Sequence, residues 1–283
     1  EGVYRFYRLP KTYQTMGDCG AFSYALEQDP PFSVDSVAEF YQDSGFTFGV
    51  SLDHIIFNYS SSDNVEQFDA SQLSEFKRRQ QITLDNAEIF LKLSAPLNYT
   101  ALGVAHGWSP KSYAESVSEL QKMGYKRIAM GGMIPLKTKE ILNVLEVINP
   151  IRKSDTQFHL LGINRLDAVA KFADFGVSSF DSTSPLMKGL KDDKLNYHVF
   201  KNGEFSAYTS ISIPQTERNN AIKKLISKGQ IDNDQAVSLE RECLRQLKRY
   251  RYGDASTEEL LESLIEYEKL FSPNKSREQA MRD

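Results

Sequence analysis

From Tyr99 to Asp181 one pattern repeats. A short apolar run ends in a glycine or a polar residue, and a stretch with helical spacing follows. Ala101 to Ala105 ends in His106-Gly107. Ser109-Pro110 then supplies an N-cap and a proline at the first helical position. Tyr113, Val117 and Leu120 mark a helix face, and Gly124 ends it. Arg127 to Met130 is the next strand, closed by Gly131-Gly132. Thr138 to Ile148 is helical and Pro150 stops it. Phe158 to Leu161 is a strand ending in Gly162, and Leu166 to Phe175 is a helix. Gly176 turns the chain into a last strand, which ends at Phe180-Asp181-Ser182. Strand, helix and strand with short connections require parallel strands with right-handed crossovers. Length and repetition predict an α/β fold of the (β/α)8 TIM-like barrel type rather than a doubly wound sheet.

The upstream sequence extends the pattern. Residues 1–15 are rich in Tyr, Arg and Phe and read as an arm or the end of a preceding element, either a surface-packing strand or a nucleic-acid contact. Gln14 to Phe22 reads as a strand end running into Gly17-Asp18-Cys19-Gly20-Ala21-Phe22. The flanking glycines indicate a tight turn or a close approach. Ser33 to Asp43 is a helix with Val34, Val37 and Phe40 on its apolar face, stopped by Gly45. Phe46 to Leu52 is a strand ending in Asp53-His54. Asp69 to Leu93 is a long amphipathic stretch, and its Lys77-Arg78-Arg79 run reads as a solvated face or a phosphate contact. The functional residues of such barrels gather at the C-terminal ends of strands. Asp18, Asp53, His106, Gly131, Gly132, Gly162 and Asp181 all fall there, which predicts one shared pocket.

Downstream of Asp181 the character changes. Tyr197 to Phe200, Asn202-Gly203 and Phe205 to Ile213 read as a hairpin around a type I′ turn. Residues 215–252 are helical. Over 238–252 an apolar stripe of Leu239, Cys243, Leu247 and Tyr250 leaves Arg241, Arg245, Lys248 and Arg249 on other faces, available to phosphates or solvent. Ser256 and Glu259 form a capping box for a last helix, and the tail from Ser272 is polar. The expected organisation is a barrel core over 1–215 with the catalytic pocket, and a helical C-terminal segment over 216–283 with a basic face.

A chain of 283 residues has room for one barrel and an appendage. It opens on Glu1 rather than methionine, so an element ahead of Glu1 stays open. Two cysteines make no disulfide framework and point to a reducing, cytoplasmic setting. The net charge of −4 excludes a uniformly basic coat for nucleic acid but not a local basic patch. No apolar run is long enough to cross a membrane.

Six segments, in order, resemble motifs of the tRNA-guanine transglycosylase family, and within it the DNA-acting branch. Gly17-Asp18-Cys19-Gly20-Ala21-Phe22 is similar to the family's Asp-Ser-Gly-Gly-Phe/Tyr. Ser51-Leu52-Asp53 matches the position of its base-reading aspartate. Leu102-Gly103-Val104-Ala105-His106-Gly107 resembles Gly-Ile-Val-Gln-Gly, with His106 in place of the glutamine. Ile128 to Met133 resembles Tyr-Ala-Ile-Gly-Gly-Leu, Leu161-Gly162-Ile163 resembles Met-Gly-Val, and Phe180-Asp181-Ser182 resembles Phe-Asp-Cys.

The resemblance implies an enzyme that exchanges guanine in a nucleic acid for a 7-deazaguanine such as 7-cyano-7-deazaguanine. Asp181 would attack C1′ of the sugar and form a covalent intermediate. Asp18 would be the general acid and base at the departing and entering heterocycle. Asp53, His106, Gly131, Gly132, Phe22 and Gly162 would bind the base. The chemistry is consistent with this. Cleaving an N-glycosidic bond builds positive charge on the sugar, which a carboxylate at C1′ stabilises. The leaving base needs a proton, which a carboxyl of raised pKa supplies. A base inside a duplex must be flipped out or single-stranded. The family's tRNA enzymes carry a Cys-x-Cys-x-x-Cys…His zinc site after the nucleophile strand, whereas Cys243 is the only cysteine in that region here. No metal and no cofactor are therefore expected, and DNA is the expected polymer. The expected partners are DNA, the free 7-deazaguanine base and helper proteins that open the strands, with no membrane. The alternatives are the same exchange on tRNA and a non-catalytic nucleic-acid-binding subunit.

Overall fold

The computed structural model describes residues 2–62, 67–163, 165–191, 196–201, 204–208 and 213–272. The chain divides into two compact units, Glu1–Ser184 and Pro185–Asp283. The first opens with a helical turn, α1 (Val3–Phe6), where an arm or strand was expected. Then follow β1 (Met16–Gly17), α2 (Val34–Ser44), β2 (Phe48–Val50), α3 (Ala70–Ser94), β3 (Thr100–Ala105), α4 (Pro110–Met123), β4 (Arg127–Met130), α5 (Thr138–Ile148), β5 (Gln157–Leu160), α6 (Val169–Asp174) and β6 (Val177–Phe180). The six strands pair in chain order, every pair parallel, in a sheet that curls into a half-barrel. That is a TIM-like arrangement. Of the eight strands of the described residues, six lie in this sheet and the other two pair with each other.

Alternation along the strands assigns their faces. Ala105, Ile128, Met130, Phe158 and Leu160 pack with Tyr113, Val117 and Leu120 of α4 and with Ile141, Val144 and Leu145 of α5. Val50, Leu102, Val104 and Ala129 cluster on the opposite face. Strands buried on both faces read as unbroken apolar runs, which is why they were visible in the sequence.

Local signals fix the helix ends. Ser109 accepts from Ser112 N–H in a capping box ahead of Pro110, and Gly124 closes α4 in the left-handed region at φ 111°. Asp69 caps α3 in the same way. On α2 the buried face is Val34, Val37, Ala38 and Tyr41, while Phe40, expected inside, is exposed.

The basic run on α3 is not a simple solvated face. Arg79 donates to the carbonyls of Ala25 (2.8 Å) and Ile55 (3.0 Å) and to Glu75 (2.7 Å). Arg78 binds Glu75 and Asp29. These arginines tie the helix to the loops that follow β1 and β2.

The second unit contains the hairpin strands β7 (Tyr197–Lys201) and β8 (Glu204–Tyr208), preceded by α7 (Ser184–Lys191), which starts at the boundary. The strands pair antiparallel, Tyr197 with Tyr208 and Lys201 with Glu204. The Asn202-Gly203 turn, the end of the predicted second strand before Ile213, and the tail after Ser272 lie outside the described residues. Helices α8 (Asn220–Ser227), α9 (Asn233–Arg251) and α10 (Thr257–Phe271) complete the unit. Their core holds Ile222, Cys243, Leu260, Leu264 and Tyr267. The expected stripe on α9 is only half right. Leu239 packs against this core and Cys243 lies within it. Leu247 and Tyr250 are exposed, and Ala236 and Gln246 are buried instead. Ser256 and Glu259 form the capping box of α10.

Candidate functional site

A cavity of about 580 Å³ opens at the C-terminal ends of the parallel strands. Its walls include Asp18, Phe22, Asp53, His106, Gly131, Gly132, Gly162 and Asp181, so the structure brings every predicted catalytic and base-binding residue to one pocket.

Asp18 follows β1 directly. Gly17 before it has no room for a side chain, because a Cβ there would lie 2.5 Å from the Tyr41 ring. Gly20 adopts φ 74° and starts a 3-10 turn over Ala21–Tyr24, which carries Phe22. The two glycines thus have different causes: close packing of a tyrosine, and a left-handed turn. Phe22 is 64% exposed and meets Phe57 edge to face at 5.5 Å. Together they form an aromatic wall of the cavity.

Asp53 is buried at the end of β2. Its Oδ1 accepts from the Cys19 thiol at 2.9 Å, and its Oδ2 faces His106 Nε2 at 2.6 Å. Burial, and then the charges of Asp53 and Asp18, push the Cys19 thiol pKa far up, so it stays a donor. His106 is wholly buried. An ionised carboxylate only accepts, so His106 Nε2 carries the hydrogen. Gly131 N–H donates to Ala105, and Gly131 O accepts from Tyr113 Oη at 2.8 Å. Both backbone groups of Gly131 are therefore occupied, and Gly132 (φ 71°) lines the cavity beside it.

The two outer carboxyl groups are pushed apart. Asp18 rises from 3.8 to about 6, first through burial, then through the negative charges of Asp53 and Asp181. It reaches solvent through the cavity mouth, and the surrounding walls still deprive its ionised form of hydration. Burial would raise Asp181 as well. The His159 hydrogen bond and the Gly162 N–H together outweigh burial and hold it below the usual carboxylate range. One group thus keeps its proton up to about pH 6 while the other is ionised well below that. Carboxyl groups pushed apart in this way can act as acid and base at one site.

His159, Phe57, Ile134 and Ser182 to Ser184 were not anticipated. His159 is buried beneath Asp181, and the others line the cavity. Alternation along β5, with Phe158 and Leu160 in the helix-side core, marks His159 as facing the other way and could have found it. Among the described residues no group of three or more His, Cys, Asp or Glu is arranged to hold a metal ion. No helix among them is long and apolar enough to cross a membrane.

The predicted nucleic-acid contacts lie on α9 in the second unit. Arg241, Arg245 and Lys248 are exposed and Arg249 is half-buried. Glu242 holds Arg245 by two bonds (2.7 and 2.6 Å), and Arg249 donates to Gln246 and to the Asp254 carbonyl. Arg241 lines a small polar cleft with Arg218, Glu217 and Glu240.

No protein-family model matches the chain. A DNA-guanine transglycosylase of Salmonella montevideo is 48% identical over 282 residues, spanning all of this chain and 67% of that protein. A queuine tRNA-ribosyltransferase of Chlamydia abortus is 28% identical over 91 residues, 32% of this chain and 24% of the relative. That of Protochlamydia amoebophila is 29% identical over 94 residues, 33% and 24% respectively. The chain belongs to the tRNA-guanine transglycosylase family, on its DNA-acting branch, and is a pentosyltransferase.

Proposed function

We propose that the protein exchanges guanine in DNA for a 7-deazaguanine base, such as 7-cyano-7-deazaguanine, through a covalent aspartyl–sugar intermediate. The observation that carries this is the opposed pair of carboxyl groups on one cavity: Asp18 retains its proton to about pH 6, and Asp181 is held ionised. Asp181 bonds C1′ as the C1′–N9 bond breaks, and Asp18 protonates the departing guanine. The incoming base then displaces Asp181, and Asp18 takes the proton that base gives up. Asp53, His106, Gly131, Gly132, Phe22 and Gly162 form the base site. The exposed Phe22–Phe57 wall is available for stacking, Gly132 lines the cavity where the base edge would lie, and His106 acts by holding Asp53.

DNA is favoured over tRNA by the relatives. The match to the DNA-guanine transglycosylase runs the whole chain at 48%, against about a third of the chain at 28% for a queuine tRNA-ribosyltransferase. In this reading the six parallel strands belong to a (β/α)8 barrel. Residues 216–283 form a helical segment whose Arg241, Arg245, Lys248 and Arg249 meet phosphates. Partner proteins expose the target base, because it is unreachable inside a duplex.

The test is guanine exchange on DNA and tRNA side by side, with mass spectrometry of the recovered nucleosides. A deazaguanine deoxynucleoside and a protein–DNA adduct are expected, the adduct lost in Asp181→Ala. Exchange confined to tRNA refutes the choice of DNA, and a wild-type protein that never forms an adduct refutes the enzymatic reading.

A further inference from the structure

The buried imidazole beneath Asp181 helps keep that carboxylate ionised, but the proposed exchange gives it no part in the bond changes. His159 has a side chain only 6% exposed. Its Nδ1 lies 2.8 Å from Ser179 Oγ, and its Nε2 lies 3.3 Å from Asp181 Oδ1. The sheet register creates this set. Phe158 pairs with Val177, but His159 pairs with Ser179, so β6 gains one residue at Ser178. An extra residue in one strand re-aims those that follow. Ser179 and Asp181, two apart, then face the same side as His159. Ionised Asp181 can only accept, so Nε2 carries the hydrogen and Nδ1 accepts from the Ser179 hydroxyl.

The Gly162 N–H also donates to Oδ1, at 2.8 Å. Both donors therefore fall on one oxygen of Asp181, and among the described residues no side chain donates to Oδ2. We infer that His159, itself fixed by Ser179, is a positioning residue that holds the carboxylate so that Oδ2 is the oxygen that bonds C1′. This rests on the proposed base exchange. In the first half, an Oδ2 lone pair forms the bond to C1′, and the C1′–N9 pair leaves with guanine, which takes the Asp18 proton. Oδ1 becomes the ester carbonyl oxygen and keeps both donors. In the second half, the incoming base attacks C1′ and gives its proton to Asp18, and the Oδ2–C1′ pair returns to Asp181. His159 and Gly162 stabilise the charge that reappears on this leaving carboxylate.

The test compares His159→Phe, His159→Gln and Ser179→Ala in guanine exchange on DNA. Phenylalanine fills the space without a donor, and glutamine restores an amide N–H. H159F should lose about 10- to 100-fold in kcat, less than a full oxyanion donor because 3.3 Å is long. Its KM for the free base should stay within about two-fold, because the ring does not bind the base. H159Q should recover to within about five-fold of wild type, and S179A, which keeps the ring, should lose about three- to ten-fold. Wild-type kcat in H159F overturns the inference, and so does an H159Q as slow as H159F. If H159F does not fold, an S179A with wild-type kcat overturns it. A wild-type protein without exchange instead overturns the proposed function, and the inference falls with it.

Discussion

Gly131→Ala tests the packing beneath the base site. A methyl group there would lie 2.5 Å from His106 Cε1 and 2.6 Å from Nε2. Gly131 is outside the left-handed region that only glycine favours, so the alanine backbone is unstrained and the contact alone decides. His106 is wholly buried and bonded to Asp53 at 2.6 Å, so the ring cannot move without breaking that bond. Overpacking of this kind costs about 1–3 kcal/mol. A lost hydrogen bond to a charged group adds about 1.5–3 kcal/mol. Together they give roughly 2.5–6 kcal/mol. For a unit the size of Glu1–Ser184, each kcal/mol lowers Tm by about 2–4 °C, so a drop of about 10 °C is expected by calorimetry. Asp53 would lose its orientation as well, so KM for the free base should rise about tenfold, the effect of about 1.4 kcal/mol. His106→Ala vacates the space the methyl needs. The double variant should therefore be more stable than the sum of the singles by about 1–3 kcal/mol. A Gly131→Ala protein that melts with the wild type, or strictly additive singles, would refute the reasoning.

The opposed carboxyl groups predict a pH profile. In the proposed exchange, adduct formation in the absence of free base needs Asp18 protonated and Asp181 ionised, so its rate should fall as pH rises past about 6 and fall again in acid. Rapid-quench rates that stay flat from about pH 5 to pH 8 would sink this assignment. The same shift sets a sign for stability. Asp18 is raised from 3.8 to about 6, so its contribution is complete below the unfolded value and is lost as pH rises through the folded one. Asp18→Asn should consequently melt above wild type at neutral pH, with the difference closing below 3.8. Arg79→Met should cost about 2–4 kcal/mol in urea unfolding, because two carbonyls and Glu75 lose a largely buried donor. Arg78→Met, at a more exposed pair, should cost under about 1 kcal/mol, and equal losses would contradict the structural division between the two arginines.

The parts of the fold legible in the sequence were those fixed locally. Ser109-Pro110, Gly124 and the Ser256/Glu259 pair set helix ends through bonds spanning three or four residues, and they lie where the sequence placed them. The doubly buried strands were legible because both faces demand apolar residues. Position on an amphipathic helix was less so. Phe40 has the right spacing on α2, yet Tyr41 takes the buried place, where its ring covers Gly17 and its hydroxyl donates to the Val50 carbonyl. The Lys77-Arg78-Arg79 run looked like surface because its partners, Ala25 O and Ile55 O, are about 54 and 24 residues away. His159 was hidden for a related reason. Its partner Asp181 is recognisable at a strand end, but only the register shift between β5 and β6 puts the two on one face.

The carboxyl pair also couples the two half-reactions of the proposed exchange. Burial, Asp53 and Asp181, in that order, raise the proton affinity of Asp18. When Oδ2 bonds C1′, Asp181 loses its charge, and one of the three causes that hold the proton on Asp18 disappears. Asp18 becomes a stronger acid at the moment the leaving guanine needs its proton. When the incoming base displaces Asp181, the negative charge returns, and Asp18 becomes a better base as that heterocycle must lose a proton. His159 and Gly162 keep the alternation within bounds, since their bonds to Oδ1 persist in both states and hold Asp181 low enough to leave as a carboxylate. Cys19 and His106 occupy both oxygens of Asp53, so it takes no part in the bond changes of the proposed exchange. Burial and the neighbouring Asp53 act on Asp18 in both halves, so in this exchange a single carboxyl can serve as acid and then as base.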